Sequence, residues 1–403
     1  MWKNKMSAAL AAKEAYAGED IPFMEGDMLI EADNLKALQA LQKSYTSRVD
    51  VIYIDPPYNT KNHKFDYRDD FRKSGEDSHA RWLDFIYPRL LLACELLRND
   101  GVVFISIDEV EAAHLRLLCD EIFGEENFIA QLVWQKKSKA SYLHKKVARV
   151  CEYILCYAKD AAKVEPLRSK SRVQRRSYPL TSRYNPRRIV TFPAKSVSFA
   201  LKSSVIKAGD YSDKSLYCRL LDDITIKDSQ NERSFRIDSS WRYGEPFMSE
   251  LFASDAQIRI AKLPIRPTFI KDVSHAKMLS NLLLKSQGVP TYEDASKKMV
   301  EEFGYELFRS PKPVALLRLL LDSVSHAKKR LLVLDIFAGS GTTFEAAMES
   351  ACENKIEIET ILIQSSEALS KNSEAYRRGE RTIYEIFEKR VESVCRKYGR
   401  NFE

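Results

Sequence analysis

The stretch Val51-Ile52-Tyr53-Ile54 constrains the fold more than any other, because of how it stops. Four β-branched or aromatic residues in a row favour a buried strand. Asp55-Pro56-Pro57-Tyr58 follows at once. Neither proline can donate a ladder hydrogen bond, so the strand must end there. An acid, two carbonyls on a stiffened backbone and an aromatic ring are thereby gathered at one strand end. In an open α/β sheet, that edge is where ligands bind.

Such a group suits a planar heterocycle carrying an exocyclic amine. The Asp55 carboxylate and the Pro56 carbonyl can both accept from an amino group, and Tyr58 can stack on the ring. A strand that merely ends in a proline turn, with Asp55 as a local cap, uses the same residue types. A second motif lies far down the chain, Leu331-Leu332-Val333-Leu334-Asp335-Ile336-Phe337-Ala338-Gly339-Ser340-Gly341-Thr342-Thr343. It reads as a buried strand ending in Asp335, a glycine-rich turn, and a helix beginning near Thr342. Glycines let a backbone approach a ligand closely, and a helix N-terminus offers unpaired N–H groups to a carboxylate. Alone, such a turn serves any nucleotide; its spacing is not that of the Gly-x-Gly-x-x-Gly dinucleotide fingerprint.

Together the two motifs resemble those of amino-group DNA methyltransferases. The run Ile54-Asp55-Pro56-Pro57-Tyr58-Asn59-Thr60 is most similar to the adenine-N6 enzymes, in particular the modification (Mod) subunits of type III restriction-modification systems. With the catalytic motif first and the donor motif last, the order resembles the β group. The resemblance implies a Rossmann-like α/β fold dependent on S-adenosylmethionine, with a mostly parallel sheet, helices on both faces and an inserted target-recognition domain. It implies catalytic roles for Asp55, Pro56, Pro57 and Tyr58, and donor contacts from Asp335, Phe337, Ala338, Gly339, Ser340, Gly341 and Thr342. Asp33 and Asn34 are implied at the adenine end of the donor, although helix capping needs the same residues. Lys312 and Pro313 are implied against the donor, with a helix-start proline as the alternative. The ribose-holding role is open between Gln364 and Glu367. Ile336 stands where relatives usually carry proline.

The implied reaction is site-specific transfer of a methyl group to the N6 amine of an adenine flipped out of double-stranded DNA, without a metal. Cytosine-N4 transfer, protein glutamine methylation and a catalytically silent DNA-binding specificity subunit are the alternatives. Relatives acting on cytosine usually carry serine at the position of Asp55. A restriction subunit and a second copy of the chain are further partners implied by the resemblance.

With 403 residues the chain suffices for two domains, or for one large domain with an insertion. Strand and helix patterns alternate over residues 1–159 and return over 296–403, with 160–295 as the recognition insertion between them. One helix is expected from 79 to 98, kinked at Pro88, and another from Asp108 to about 123. The polar loop 61–78, with Phe65, Tyr67 and Phe71, is of the kind that closes over a substrate.

The net charge of +7 concentrates after residue 160. Between 163 and 195 the basic residues, Arg172, Arg175, Arg176, Arg183, Arg187 and Arg188 among them, face Glu165 as the single acid. That matches a nucleic-acid footprint, a basic linker being the competing reading. Lys136, Lys137 and Lys139 form a second basic cluster, read as a phosphate-holding loop. The seven cysteines are scattered and none forms Cys-x-x-Cys, so no zinc set is indicated and reduced, cytoplasmic thiols are expected. No run approaches the ~18 apolar residues of a membrane helix.

Overall fold

One eight-stranded sheet carries both motifs. Its strands are β1 (Met28–Glu31), β2 (Val49–Ile54), β3 (Leu97–Ile107), β4 (Phe128–Gln135), β5 (Cys151–Ala158), β6 (Leu282–Leu283), β7 (Arg330–Asp335) and β8 (Glu357–Gln364). They lie in the order β1-β8-β7-β2-β3-β5-β4-β6. Every pairing is parallel except those of β5, which runs against both β3 and β4. The late strands β7 and β8 are thus threaded between the early strands β1 and β2. The structure is a computed structural model and describes residues 2, 4–14, 18–60, 69–71, 77–139, 146–169, 174–254, 256–261, 265–273, 277–326 and 328–400.

The continuous apolar run of β2 has a direct cause. Side chains alternate between the faces of a strand, and both faces of this sheet are covered. Ile52 and Ile54 join one core cluster with the helices Asn34–Tyr45, Ser78–Leu96 and Ala112–Phe123. Val51 and Tyr53 join a second cluster with Val314–Ser325, Thr342–Asn354 and Ile383–Tyr398. One face is therefore built by the first part of the chain and the other by the last. A strand buried on both sides has no polar face to show.

Pro88 lies inside a helix that runs from Ser78 to Leu96 and passes directly into β3. One local expectation is corrected. The helix expected at Asp108 starts only at Ala112, because the Asp108 carboxylate accepts the Val110 N–H at 2.9 Å and holds a turn there.

The chain divides into two compact units, Met1–Lys170 with Lys277–Glu403, and Ser171–Ala276. The second is narrower than the 160–295 expected. Residues 277–295 belong to the first unit, since β6 pairs with β4 and Trp134 donates to the Pro290 carbonyl. The second unit is a β structure, with a seven-stranded and a four-stranded sheet around Phe192, Phe235, Ile237 and Trp241. Its strands are two to six residues long, too short for a strong sequence periodicity. Among the described residues, no helix is long and apolar enough to cross a membrane.

The glycine-rich turn is held in the left-handed region, Gly339 at φ +55° and Gly341 at φ +81°. A Cβ on Gly341 would also stand 3.2 Å from Phe387 Cδ2. Gly341→Ala is expected to cost roughly 1–3 kcal/mol in stability, read as a lower urea midpoint with an unchanged slope.

Candidate active site

The strand pairing determines what the two motifs can do together. Tyr53 is in register with Asp335, so the ends of β2 and β7 are neighbours although the motifs lie far apart in sequence. Both ends open onto one cavity of about 800 Å³, lined by Asp55, Pro57 and Tyr58 on one side and by Asp335, Phe337, Gly339 and Thr342 on the other.

On the β2 side, Asp55 is anchored by a cation. Lys312 Nζ lies 2.7 and 2.8 Å from the two Asp55 oxygens and 2.8 Å from the Tyr58 hydroxyl. The Tyr58 hydroxyl donates to Asp55 Oδ1 at 2.7 Å. Behind them stands Glu152 of β5, a buried carboxylate that accepts from Tyr292 at 2.8 Å and from Lys136 at 3.2 Å. Two carboxylates and two ammonium groups thus balance within one network. Burial, reinforced by the charges of Asp55 and Glu152, pushes the Tyr58 hydroxyl well above the ordinary tyrosine range, so it stays neutral. The peptide beyond Tyr58 is fixed as well. Trp82 donates to the Pro57 carbonyl at 2.6 Å, and the Asn59 N–H donates to Asp69 at 2.8 Å.

On the β7 side, Asp335 is committed to its own turn. It accepts the Phe337 N–H at 2.9 Å and the Thr343 hydroxyl at 2.5 Å. Burial pushes its carboxyl up to about 7; those two hydrogen bonds oppose the shift and the Asp55 charge adds to it. Gln364, at the end of β8, accepts the Gly339 N–H at 2.8 Å. Beneath the turn the buried Arg390 donates to the Ser340 and Thr342 hydroxyls, both at 2.9 Å, and pairs with Glu345 at 2.8 Å. Burial alone would raise Glu345, but Arg390 and Lys298 hold it down to about 2.

A family model described as DNA methylase matches residues 49–368, which include every element of this cavity except its rim at Asp33, Asn34 and Ile383. The chain belongs to the DNA methylase family. It is 33% identical to the type III restriction-modification enzyme StyLTI Mod subunit of Salmonella typhimurium, over 93% of this chain and 58% of that one. The EcoPI Mod subunit of Escherichia phage P1 is 31% identical over 92% and 62%. The type II methyltransferase M.KpnI of Klebsiella pneumoniae is 29% identical over 90% and 86%. The chain therefore spans about three fifths of the length of the two Mod subunits. Among solved structures, PvuII DNA methyltransferase (cytosine-N4-specific) aligns over 94% of this chain and 96% of that one at 12% identity, with a TM-score of 0.42. The architecture rests on the chain's own sheet order and its family, which give the Rossmann-like methyltransferase fold.

Most of the residues expected in catalysis or donor binding line the cavity, but three do not. Pro56 is buried behind Pro57, Gly341 is turned against Phe387, and Pro313 sits at the N-cap of Val314–Ser325. Lys312, expected against the donor, lines the cavity and points its ammonium at Asp55. Asp33 and Asn34 line the cavity, and Asp33 also caps its helix by accepting from the Leu35 and Lys36 N–H groups. Asn34 donates to the Ile336 carbonyl at 2.9 Å and accepts from Arg89 at 2.5 Å, tying the acidic turn to the glycine-rich one. Glu367 lines the cavity beside Gln364.

Lys136, expected to hold phosphate, is turned inward to Glu152, because that buried carboxylate needs a cation. Lys137 lines the cavity and Lys139 is exposed. In the second unit Arg183 and Arg187 are exposed, lying over the rings of Tyr184 and Tyr217 at 4.6 and 3.6 Å, while Arg188 donates to the Tyr243 carbonyl. Arg172 and the loop residues 61–68, 72–76 and 140–145 lie outside the described residues, as do the side chains of Arg175 and Arg176.

Glu152, Arg89 and Arg390 were not legible as site residues from spacing. A signal existed for two of them. Glu152 is an acid inside an apolar strand, and Arg390 falls on the apolar stripe of its helix with Ile383, Ile386, Phe387 and Val394.

Lys312→Met leaves Asp55 and Glu152 short of a cation and is expected to cost roughly 3 kcal/mol of unfolding free energy, measured by chemical denaturation. Asp335 binds its proton more tightly folded than unfolded. Its contribution to stability is therefore present at acid pH and lost as pH rises from the ordinary carboxylate range to about 7. Asp335→Asn should flatten that fall when urea midpoints are compared between acid and neutral pH.

Proposed function

We propose that this chain transfers a methyl group from S-adenosylmethionine to the N6 amine of an adenine flipped out of double-stranded DNA. The observation that carries the reading is the juxtaposition of Asp55 with the glycine-rich turn at adjacent strand ends over a single cavity. The residues present fit such a donor. The first turn of Thr342–Asn354 carries N–H groups that no preceding turn accepts, suited to a carboxylate. Phe337, Phe85 and Phe71 form a wall of aromatic rings in tilted contact, suited to adenosine, and Asp33 and Glu367 bring acids to a group with two cationic centres. The candidates for the ribose are Glu367 and Gln364, the latter with its amide bonded to Gly339 and Ser365.

When bound, the donor supplies an electrophilic methyl on a sulfonium that leaves as a neutral thioether. Everything else is positioning and electrostatics. Asp55 accepts from the adenine amine and draws its lone pair out of the ring; an ionised carboxylate has enough acceptor sites to keep Lys312 as well. Lys312 balances the Asp55 charge and fixes the carboxylate plane. Tyr58, oriented by its hydroxyl, offers its ring to the base. Asp335 and Gln364 hold the donor turn in shape.

Double-stranded DNA is the substrate that the exposed Arg183 and Arg187 support. A restriction subunit is the partner that the Mod names of the relatives support, and a second copy of the chain and a cytoplasmic setting follow from the same reading.

The test is methyl transfer from labelled S-adenosylmethionine to mixed genomic DNA, followed by nucleoside analysis. N6-methyladenine is expected. N4-methylcytosine would overturn the base assignment, and measurable donor binding with no label in DNA would overturn the reading altogether. Tyr58→Ala should lower transfer by about 10–100-fold, the worth of one stacked base, with donor affinity unchanged. An equal loss of donor affinity would remove the stacking role.

A further inference from the structure

Outside the cavity, Glu111 is a wholly buried acid whose partners leave it without a fixed positive charge. It accepts from Asn59 Nδ2 at 2.7 Å. Its other neighbours are imidazoles, His79 Nδ1 at 2.7 Å from one oxygen and His114 Nδ1 at 2.9 Å from the other. Among the described residues, no lysine or arginine forms an ion pair with it. A desolvated carboxylate is costly unless a cation sits beside it, and an imidazole carries no fixed charge. The two rings are tilted against each other by 39°, their centroids 4.8 Å apart.

We propose that His79, Glu111 and His114 form a binding site for a borderline divalent transition metal of the zinc, cobalt or nickel type. Their ligand atoms all lie within 4.8 Å of one another. Two imidazole nitrogens and one carboxylate oxygen are the donor set such ions prefer, whereas magnesium and calcium take oxygen ligands. The present N···O separations are hydrogen-bond lengths. Around an ion bound at ~2.0–2.2 Å, ligand atoms stand about 3.3 Å apart, so the two hydrogen-bonded N···O pairs must open by about half an ångström while the widest pair, within 4.8 Å, closes as the rings turn. The histidine side chains, 39% and 42% exposed, have room to do so and leave a fourth position to solvent.

Glu111 needs to give the ion only Oε2, the oxygen beside His114, so Oε1, which now meets both His79 and Asn59, stays on Asn59. Asn59 directly follows Tyr58 and adopts a left-handed φ of 60°. An occupied site would therefore brace the backbone as it leaves the tetrapeptide. The site stands independently of what the cavity acts upon.

The test uses the full chain freed of metal by a chelator. Zinc is titrated by calorimetry, and cobalt serves as a spectroscopic probe. One equivalent of zinc is expected to bind, magnesium to give no heat, and cobalt to show visible bands of nitrogen and oxygen coordination without a thiolate charge-transfer band. His114→Gln and His79→Gln should each weaken zinc binding by more than the ~10–100-fold that loss of a supporting neighbour costs. Both variants should melt like the parent in chelator, while only the parent gains in melting temperature on adding zinc. Both histidines are half-exposed, so either variant suffices if the other fails to fold. Unchanged binding in the variants, a thiolate band from the exposed Cys352, or no uptake at neutral pH would overturn the proposal.

Discussion

The parallel pairing of β2 with β7, Val51 on Val333 through Tyr53 on Asp335, is the constraint on which the site depends. It joins the first part of the chain to the last and fixes which strand ends are neighbours. A one-residue slip would exchange the faces of β2. Ile52 and Ile54 would leave the cluster built by the early helices, and Val51 and Tyr53 the one built by the late helices. Because both faces are apolar, sequence pattern alone does not set this register. The packing on each side does, together with Asp50, which accepts from Lys328 and from the Leu332 N–H at the start of the pair.

The charges follow the same logic. A cavity between strand ends in a doubly wound sheet is partly dry, so each buried ion there needs a partner. Asp55 has Lys312, Glu152 has Lys136, and Glu345 has Arg390. Among the described residues Asp335 has no cation and relies on hydrogen bonds from its own turn, which is why its carboxyl is pushed up to about 7 while Glu345 is held down to about 2. Asp108, also lining the cavity, is likewise pushed up to about 7 by burial. Two carboxyls of the site thus change charge near neutral pH for the same physical reason.

Several residues serve both readings that the sequence left open. Asp33 caps a helix and lines the cavity, since an acid at a helix N-terminus can accept from backbone N–H groups and still face a ligand. Lys312 precedes a helix-start proline and also reaches the site. Lys136 went the other way: its basic neighbourhood suggested phosphate, but its own ammonium is consumed by a carboxylate that only folding brings near. The second unit shows no period in the sequence because its strands are too short, although Ile224 and Ile226, or Phe235 and Ile237, alternate correctly within them.

By itself the sequence determined where the principal strands end and what chemistry waits there. Prolines forbid ladder bonds, glycines permit left-handed turns, and both effects are local. It also marked the family, through two motifs whose residue types are specific. Tertiary structure alone decided which side chains complete the site. Lys312 meets Asp55 across 257 residues, Arg390 reaches Ser340 across 50, and Glu111 meets His79 across 32. Such contacts arise from the order of strands in the sheet and the packing of helices upon it, and neither is encoded at any fixed spacing along the chain.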